Sequence, residues 1–556
     1  MRKLFFIVLV TIAAGYSAMW YIQAEKARQQ VEQVIAKLNE KQPFIVYDAI
    51  SISGYPKDVV VVMHKPVISG RIDLLFKTLA EHMKNEPQPP EPALLEKFQT
   101  LPAWEGKFSL DGTLSLRMNA LSDRYAFISN GSWQTSNTID GVTEVTHSNP
   151  SAALTCTVEL ARSHGWFKML WNVSFDRNDQ QIAEDFRMLD CVIPASTIVN
   201  TGSNETLISN GDSRIFVSRQ PKAERVTMRV YIKSTDAEFT PAGQQWMEQY
   251  LHLFTLQETL SNNFLTCGKQ NAEIDFNYDG PADFKSAEKD TPFDIHLSKF
   301  VLDCSKLYST IGQFQLQNVR KGSQQNVRFL LKANSSFTPA YNAMIQESVR
   351  SFIDELYKNN DPDLATIKAS VQQYSPEQLY TIAQPAIPDF SSLGKLVQNI
   401  DITYQGASDM TAGDLTIADL EFSAADYGIT STGAAKKTTS QMFPSANITL
   451  SCANCLRMID DITRYASRVA HVTAYFDPKA AASMTINPNV VTGFKQFIAT
   501  LSDPAQTTSN PPIFTYAIVS DGAMGITVNG RPMDQVMALY AEHVSAAMQP
   551  ASGRSE

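Results

Sequence analysis

Cys452 and Cys455, separated by two residues, form the motif whose residue types and spacing best fit a known chemistry. The pattern around them predicts a strand over 446–450 and a helix over 456–469, which places the pair at a helix N-terminus. Such a position lowers the pKa of a thiol and favours thiol–disulfide exchange. However, no parallel strand–helix–strand pattern surrounds the pair, and no second cysteine pair completes a zinc site. We predict a structural disulfide here, with a thiol oxidoreductase as the alternative.

A second motif, Asp275-Phe-Asn-Tyr-Asp-Gly280, matches the first half of a calcium-binding loop. The twelfth position, where such a loop needs a bidentate glutamate, is Ser286, and the seventh is Pro281. In addition, Phe276 and Tyr278 alternate with polar residues, as in a strand that enters a turn. The segment is therefore predicted to be a strand rather than a metal site.

Other local patterns do not indicate catalysis. The eight histidines are too far apart in the sequence for a His-x-x-x-His ligand pair. The chain has no Gly-x-Ser-x-Gly nucleophile elbow, no phosphate-binding glycine-rich loop and no Gly-x-Gly-x-x-Gly. A catalytic triad assembled from distant residues would leave no such trace. We predict a non-enzymatic protein with no catalytic residue, no cofactor and no metal.

The six cysteines are predicted to form three local disulfides. An even number of cysteines outside the cytoplasm favours pairing. Their order along the chain suggests the pairs Cys156–Cys191, Cys267–Cys304 and Cys452–Cys455. Six cysteines allow about fifteen pairings, so this choice needs a direct test.

The elements that would position these residues begin with a charge-free run, Leu4–Ile22, preceded by Arg2 and Lys3. At 1.5 Å per residue its 19 residues approach the thickness of the hydrocarbon core of a membrane, about 30 Å. Trp20 and Tyr21 are side chains typical of the membrane–water boundary. We predict a single-pass anchor with the body in the periplasm, and a cleaved signal peptide as the alternative.

The charge balance argues against a nucleic-acid partner. The 556 residues include 47 Lys and Arg against 57 Asp and Glu, a net charge of −10, whereas binding to nucleic acid needs a basic stripe. The hydrophobic content of 44% is typical of a globular chain, and the length indicates about two to four domains.

Behind the anchor, an amphipathic helix is predicted over 25–38, and strands over 46–52 and 59–63 flank the turn Gly54-Tyr55-Pro56. Further turn signals predict a meander of short strands, at Asp111-Gly112, Asn130-Gly131, Asp140-Gly141 and Asn210-Gly211.

The segment from Tyr47 to Pro66, YDAISISGYPKDVVVVMHKP, resembles the opening of an uncharacterised, membrane-anchored periplasmic family of proteobacteria, the domain of unknown function 2125. The likeness consists of a tyrosine, an alternating strand, a Gly-Phe/Tyr-Pro turn and a second strand that ends near proline. It is confined to about the first 70 residues. It implies periplasmic exposure and an elongated, β-rich body, and it implies no catalytic residue.

The tetrapeptide Phe-Thr-Pro-Ala occurs twice, at 239–242 and 337–340, each time after a predicted strand and before an amphipathic helix. Threonine caps such a helix and proline fits its first position. A looser third copy precedes Pro488. We predict an α+β fold with extended antiparallel sheets, repeated strand-to-amphipathic-helix modules and one N-terminal transmembrane helix. The predicted segments are 1–22, 23–103, 104–230, 231–395 and 396–548.

These features favour a membrane-anchored envelope protein that binds or passes an apolar ligand, a lipid, along a sheet surface. The predicted groove is lined by Val59, Val61 and Met63, which point to one side of a strand close to the membrane. The partners would be the inner membrane and lipid. The alternatives are a scaffold that docks other envelope proteins, and the oxidoreductase named above.

Overall fold

The protein is described by a computed structural model. It covers the chain except residues 1, 41–43, 85–91, 120–123, 162–184, 223–224, 255–266, 282–291, 305, 359–367, 370, 442, 476–477, 485, 503–510, 524 and 546–556. The described residues form two compact units, unit 1 (Met1–Asp275) and unit 2 (Phe276–Glu556). The finer division into five segments stays a prediction.

The first helix, α1 (Arg2–Leu38), includes the amphipathic helix predicted over 25–38. The side chains of residues 2–15 lie outside the described part of the chain, and with them most of the predicted anchor Leu4–Ile22. Among the residues described, no helix combines the length and the apolar character needed to cross a membrane. The anchor therefore stays a prediction.

Unit 1 is built mainly from antiparallel strands. Its strands are β1 (Ile45–Val46), β2 (Ala49–Ser53), β3 (Asp58–His64), β4 (Val67–Arg71), β5 (Trp104–Asn119), β6 (Arg124–Ile139), β7 (Val142–Pro150), β8 (Leu154–Leu160), β9 (Phe186–Ile193), β10 (Ser196–Asn200), β11 (Thr206–Asn210), β12 (Ser213–Lys222) and β13 (Arg225–Phe239). Its other helices are α2 (Ile72–Lys84), α3 (Pro92–Thr100) and α4 (Pro241–Phe254), and β14 (Gln270–Pro281) contains the boundary with unit 2.

The sheet of unit 1 divides at its long strand β6. The strands β3 and β4 pair with different halves of β5, and β5 pairs with β6 along almost its whole length. The first half of β6 pairs with β8 and the second half with β7. From β8 the sheet continues through β9 and β12 to β13, and from β7 it continues through β10 and β11 to the end of β13.

Unit 2 is a long meander followed by helices. Its strands are β15 (Phe293–Cys304), β16 (Leu307–Lys321), β17 (Gln324–Phe337), β18 (Lys395–Ala407), β19 (Gly413–Ser423), β20 (Gly428–Lys437), β21 (Ser445–Ala453), β22 (Ile513–Asp521), β23 (Ile526–Val528) and β24 (Arg531–Pro532). Each of these strands pairs antiparallel with the next one in the chain. The helices are α5 (Pro339–Lys358), α6 (Pro376–Ala383), α7 (Cys455–Thr473), α8 (Pro478–Met484), α9 (Pro488–Leu501) and α10 (Met533–Tyr540).

These strands confirm the predicted α+β fold with antiparallel sheets. Two of the predicted turns were wrong, because Asp111-Gly112 lies within β5 and Asn130-Gly131 lies within β6. Gly112 and Gly131 are opposed across these strands, and a Cβ atom on Gly112 would lie 2.0 Å from the carbonyl oxygen of Asn130. The glycines permit a close backbone approach instead of a chain reversal. The turn at Asp140-Gly141 is confirmed between β6 and β7.

The two Phe-Thr-Pro-Ala copies make the same local contacts. Thr240 follows β13 and precedes α4, and Thr338 follows β17 and precedes α5. In each copy the threonine N–H donates to a carbonyl at 3.0 Å, that of Leu207 or that of Lys306. The hydroxyl of each threonine donates to the same carbonyl. The third copy keeps only the proline-initiated helix α9, since α8 rather than a strand precedes it.

Candidate functional site

An apolar cavity of about 280 Å³ lies between α1 and the sheet of unit 1. On the helix side it is lined by residues on one stripe of α1 and by the first strand, Gln30, Val31, Val34, Ile35, Leu38 and Ile45. On the sheet side it is lined by residues of β3, β5 and β6, Val61, Met63, Leu114, Ser115, Leu116 and Phe127. Its lining is almost entirely aliphatic or aromatic, which suits an apolar ligand.

The position of the cavity follows from the residues of α1. Ala24 and Ala27 are fully buried and pack against the sheet in a cluster that includes Val59 and Met118. Small residues let the helix backbone approach the strands closely at this level. The cavity lies about one to three helical turns farther along α1, beginning near Val31. The close-packed alanines therefore separate the cavity from the N-terminal end of the helix.

The predicted groove residues occupy two environments. Val59 and Val61 are 4% and 3% exposed and pack in the cluster with Ala24 and Ala27. Val61 and Met63 also line the cavity, whereas Val59 does not. The two-residue period of a strand predicts these three residues on one side of β3, and the pairing with β2 and β5 keeps them on one face. The other walls of the cavity, on α1, β5 and β6, were not predicted from the sequence. The 31, 34, 35, 38 spacing on α1 was the signal that could have predicted the wall on α1.

The cavity leads onto a continuous apolar row that crosses the sheet. Directly opposed residues in an antiparallel sheet share a face. The opposed residues in this row, from β2 to β13, are Ile52, Val61, Leu116, Phe127, Cys156, Cys191, Ile215 and Ile232. Seven strand spacings of about 4.8 Å give the row a length of about 34 Å. We call it the apolar row.

The apolar row is only partly covered. Phe127 is exposed, and Leu116, Cys156, Ile215 and Ile232 are half-buried. A soluble sheet normally covers such a face with other elements of its own chain. This half-burial leaves apolar side chains within reach of a ligand along the strands.

The opposite face of the same strands is polar. Arg124 Nε donates to the carboxylate of Glu159 at 2.7 Å on this face. Farther along, Arg214 makes a bidentate contact with Asp190 at 2.8 and 2.9 Å. Charged pairs that are solvent-exposed add little stability, and they keep the polar face in water. The sheet of unit 1 therefore has one face with solvent-exposed charged pairs and one apolar face.

The sheet of unit 2 shows the same division within its own strands. One row of directly opposed residues, from β16 to β22, is Leu316, Phe329, Ile402, Ile417, Gly433, Ile448 and Ile518. On the other face Arg328 makes a bidentate contact with Asp401. At the far end of this unit the helices α7, α9 and α10 contribute to a buried core with Phe514 and Tyr516 of β22.

The Cys452–Cys455 pair is a buried disulfide in that core. The predicted strand and helix are both present but extend farther, so that Cys452 lies within β21 and Cys455 begins α7, and the two are bonded. They are 4% and 6% exposed and pack with Leu501 and Phe514. Thiol–disulfide exchange requires an attacking thiolate to reach a sulfur atom, and burial removes that access. The surroundings of this pair suit a structural disulfide.

The calcium-like motif lies within β14, as its alternating pattern predicted. Asp275 accepts two hydrogen bonds from Arg229, each 2.9 Å long, so its carboxylate already has a cationic partner. Within the described ranges, histidine, cysteine, aspartate and glutamate side chains do not gather in groups of three that could hold a metal ion.

Two of the predicted disulfides are confirmed, Cys156–Cys191 and Cys452–Cys455. Cys156 and Cys191 are directly opposed on β8 and β9. Cys267 and Cys304 are also disulfide-bonded. A non-reducing digest should yield Cys156–Cys191, Cys267–Cys304 and Cys452–Cys455 linked peptides and no free thiol by mass spectrometry. A peptide that joins Cys156 to Cys267 would contradict the local pairing.

A comparison of the chain with models of known families, with curated proteins and with solved structures finds no match.

Proposed function

We propose that this protein is a non-enzymatic, membrane-anchored envelope protein that binds an apolar ligand, a lipid acyl chain, and passes it along the apolar row. The observation that carries the proposal is the cavity between α1 and the sheet, because its lining side chains are aliphatic or aromatic apart from Gln30 and Ser115. Burial of apolar surface would drive binding, at about 0.8 kcal/mol for each methylene removed from water.

The anchoring part of this proposal rests on Leu4–Ile22 and its basic entry. It places the body in the periplasm and supplies lipid as the most available apolar partner. Leu4–Ile22 and the segment Tyr47–Pro66 together support the proposal that the chain belongs to the domain of unknown function 2125 family. The matching threonine contacts of the two Phe-Thr-Pro-Ala copies support a duplicated strand-to-helix module, with one copy in each unit.

The cavity is tested by placing charge on its helical wall. Val34 and Leu38 line the cavity and are 51% and 49% exposed, so substitution should leave the fold intact. The double variant Val34→Glu, Leu38→Glu should retain about tenfold less lipid than the unchanged protein, or even less. The reason is that binding of an acyl chain would desolvate two carboxylates. Native mass spectrometry of the detergent-extracted full chain measures the lipid-bound fraction.

Ala36→Glu is the matched control, since Ala36 is exposed on the same helix and does not line the cavity. This variant should retain lipid as the unchanged protein does. Equal retention by the double variant and the control would show that the cavity is not the binding site. A full chain that carries no lipid at all would remove the lipid proposal.

A scaffold for other envelope proteins is the second candidate, and a surface of α2 favours it. Leu74, Leu75 and Leu79 lie within a 140° sector of this helix and are all exposed, Leu75 by 67%. Exposed apolar side chains grouped in this way often mark an interaction surface. A lipid-free chain that holds another envelope protein through α2 would support this second function.

A further inference from the structure

The turn between β2 and β3 packs against α1 at the end of the predicted anchor. Trp20 of α1 and Tyr55 of the turn are in edge-to-face contact, with ring centroids 5.3 Å apart. Tyr16 lies one turn earlier on α1, with its ring 6.5 Å from that of Tyr55. We call these three side chains the aromatic collar.

Hydrogen bonds hold the aromatic collar to the backbone of the turn. The indole N–H of Trp20 donates to the carbonyl of Asp58 at 2.8 Å, and the hydroxyl of Tyr16 donates to the carbonyl of Pro56. The hydroxyls of Ser17 and Tyr55 lie 2.7 Å apart. The turn is thus attached to the helix at two successive turns of α1.

The aromatic collar has the chemistry of a membrane–water boundary. Tyr55 is 53% exposed, and Tyr21 and Ile22, which follow Trp20 on α1, are also exposed. Tyrosine and tryptophan combine an apolar ring with a polar atom, so they favour the headgroup level of a bilayer. The aromatic collar lies at the C-terminal end of the charge-free run Leu4–Ile22. If this run spans the bilayer, its C-terminal end lies at the bilayer surface, and so does the collar.

We infer that the β2–β3 turn contacts the lipid bilayer at its headgroup level, as a second membrane contact beside the anchor. This inference rests on the proposed anchoring and adds an orientation to it. Val31 to Leu38 follow Trp20 by 11 to 18 residues, which places the cavity about 16–27 Å along α1 beyond the collar. A lipid in the cavity would therefore have left the bilayer.

A nitroxide label tests this contact in the full chain reconstituted into phosphatidylethanolamine–phosphatidylglycerol vesicles. The native cysteines are all disulfide-bonded, so an introduced cysteine is the only thiol. Lys57→Cys, exposed in the turn, leaves the aromatic collar intact, and Tyr55→Cys places the label within it. Val142→Cys, 69% exposed after β6, is the control.

Labels at 55 and 57 should show a severalfold higher ratio of oxygen to nickel-chelate accessibility than the label at 142, as expected at headgroup depth. Accessibility ratios at 55 and 57 equal to that at 142 would overturn the inference. Flotation of the same vesicles separates the two proposals. If the protein floats with the vesicles but its labels are accessible to water, only the turn contact is refuted. If the protein does not float, the anchor is refuted.

Discussion

Asp73→Ala is expected to lower the free energy of local unfolding around β4 and β5 by about 2–4 kcal/mol, because the charge-assisted hydrogen bonds of a buried carboxylate would be lost. The Asp73 carboxylate is fully buried in the first turn of α2. It accepts two hydrogen bonds of 2.7 Å from Arg71 and one of 3.2 Å from Lys77. It also accepts the backbone N–H of Trp104, which fixes the start of β5.

Hydrogen exchange followed by mass spectrometry measures this effect. Peptides from 67–84 and 104–110 should lose roughly 30-fold or more in protection, since 1.4 kcal/mol corresponds to a factor of ten. Asp111→Ala, at an exposed position of β5, is the control and should leave the protection unchanged. Unchanged exchange in Asp73→Ala would mean that the carboxylate does not stabilise this end of the sheet.

The same carboxylate makes stability depend on pH. The hydrogen bonds from Arg71, helped by those from Trp104 and Lys77, hold the pKa of Asp73 well below its ordinary value of 3.8. A carboxylate with a lowered pKa in the folded state stabilises above its unfolded pKa, and the stabilisation is lost as the pH falls. In urea unfolding, the advantage of the unchanged protein over Asp73→Asn should therefore shrink as the pH is lowered from about 5 to 2.

Ile215→Lys should slow lipid transfer along the apolar row by roughly 30-fold. Ile215 lies in β12, three strands from Phe127 at the edge of the cavity. A lysine there would deprive two or three passing methylenes of apolar contact, at about 0.8 kcal/mol each. The barrier would rise by about 2 kcal/mol, which corresponds to this factor in rate. The measurement is the movement of a pyrene-labelled fatty acid from protein-bearing donor vesicles to acceptor vesicles.

Val192→Lys is the matched control for the transfer experiment. Val192 is an exposed, β-branched residue of β9 that pairs with Arg214, on the polar face of the sheet. The Val192→Lys substitution introduces the same charge as Ile215→Lys but does not alter the apolar row, so the transfer rate should not change. Lipid retention in native mass spectra should be unaffected in both variants, because neither residue lines the cavity. Equal transfer rates in the two variants would show that lipid does not move along this face.

Sequence periodicity predicted much of unit 1. The β-branched run over 59–63 predicted β3, and the two-residue period of any strand places Val59, Val61 and Met63 on one face. The 3.6-residue period identified the stripe on α1. It could not tell which part of α1 approaches the sheet closely. That depends on the fully buried Ala24 and Ala27, whose small size matters only once their partners on β3 are known. For this reason Val59 is covered while Met63 lines a cavity.

The apolar row was beyond sequence reasoning for another reason. It consists of directly opposed residues on eight strands. Its course depends on the first half of β6 pairing with β8 while the second half pairs with β7. Local patterns specify which residues of a strand share a face, but they do not specify which strands are neighbours. Gly112 and Gly131 were wrongly predicted to form turns, because a glycine that permits close packing of two strands has the same sequence signal as one that permits a turn.

The meander of unit 2 makes the size of the sheet adjustable. Every strand from β16 to β24 pairs with the one before it, so inserting or deleting one hairpin would leave all the other pairings, and the face on which each side chain lies, unchanged. Each hairpin contributes two strand spacings, about 9.6 Å, and returns the chain in its original direction. The width of this sheet could therefore increase or decrease during evolution in steps of one hairpin, without changing how the remaining strands pair.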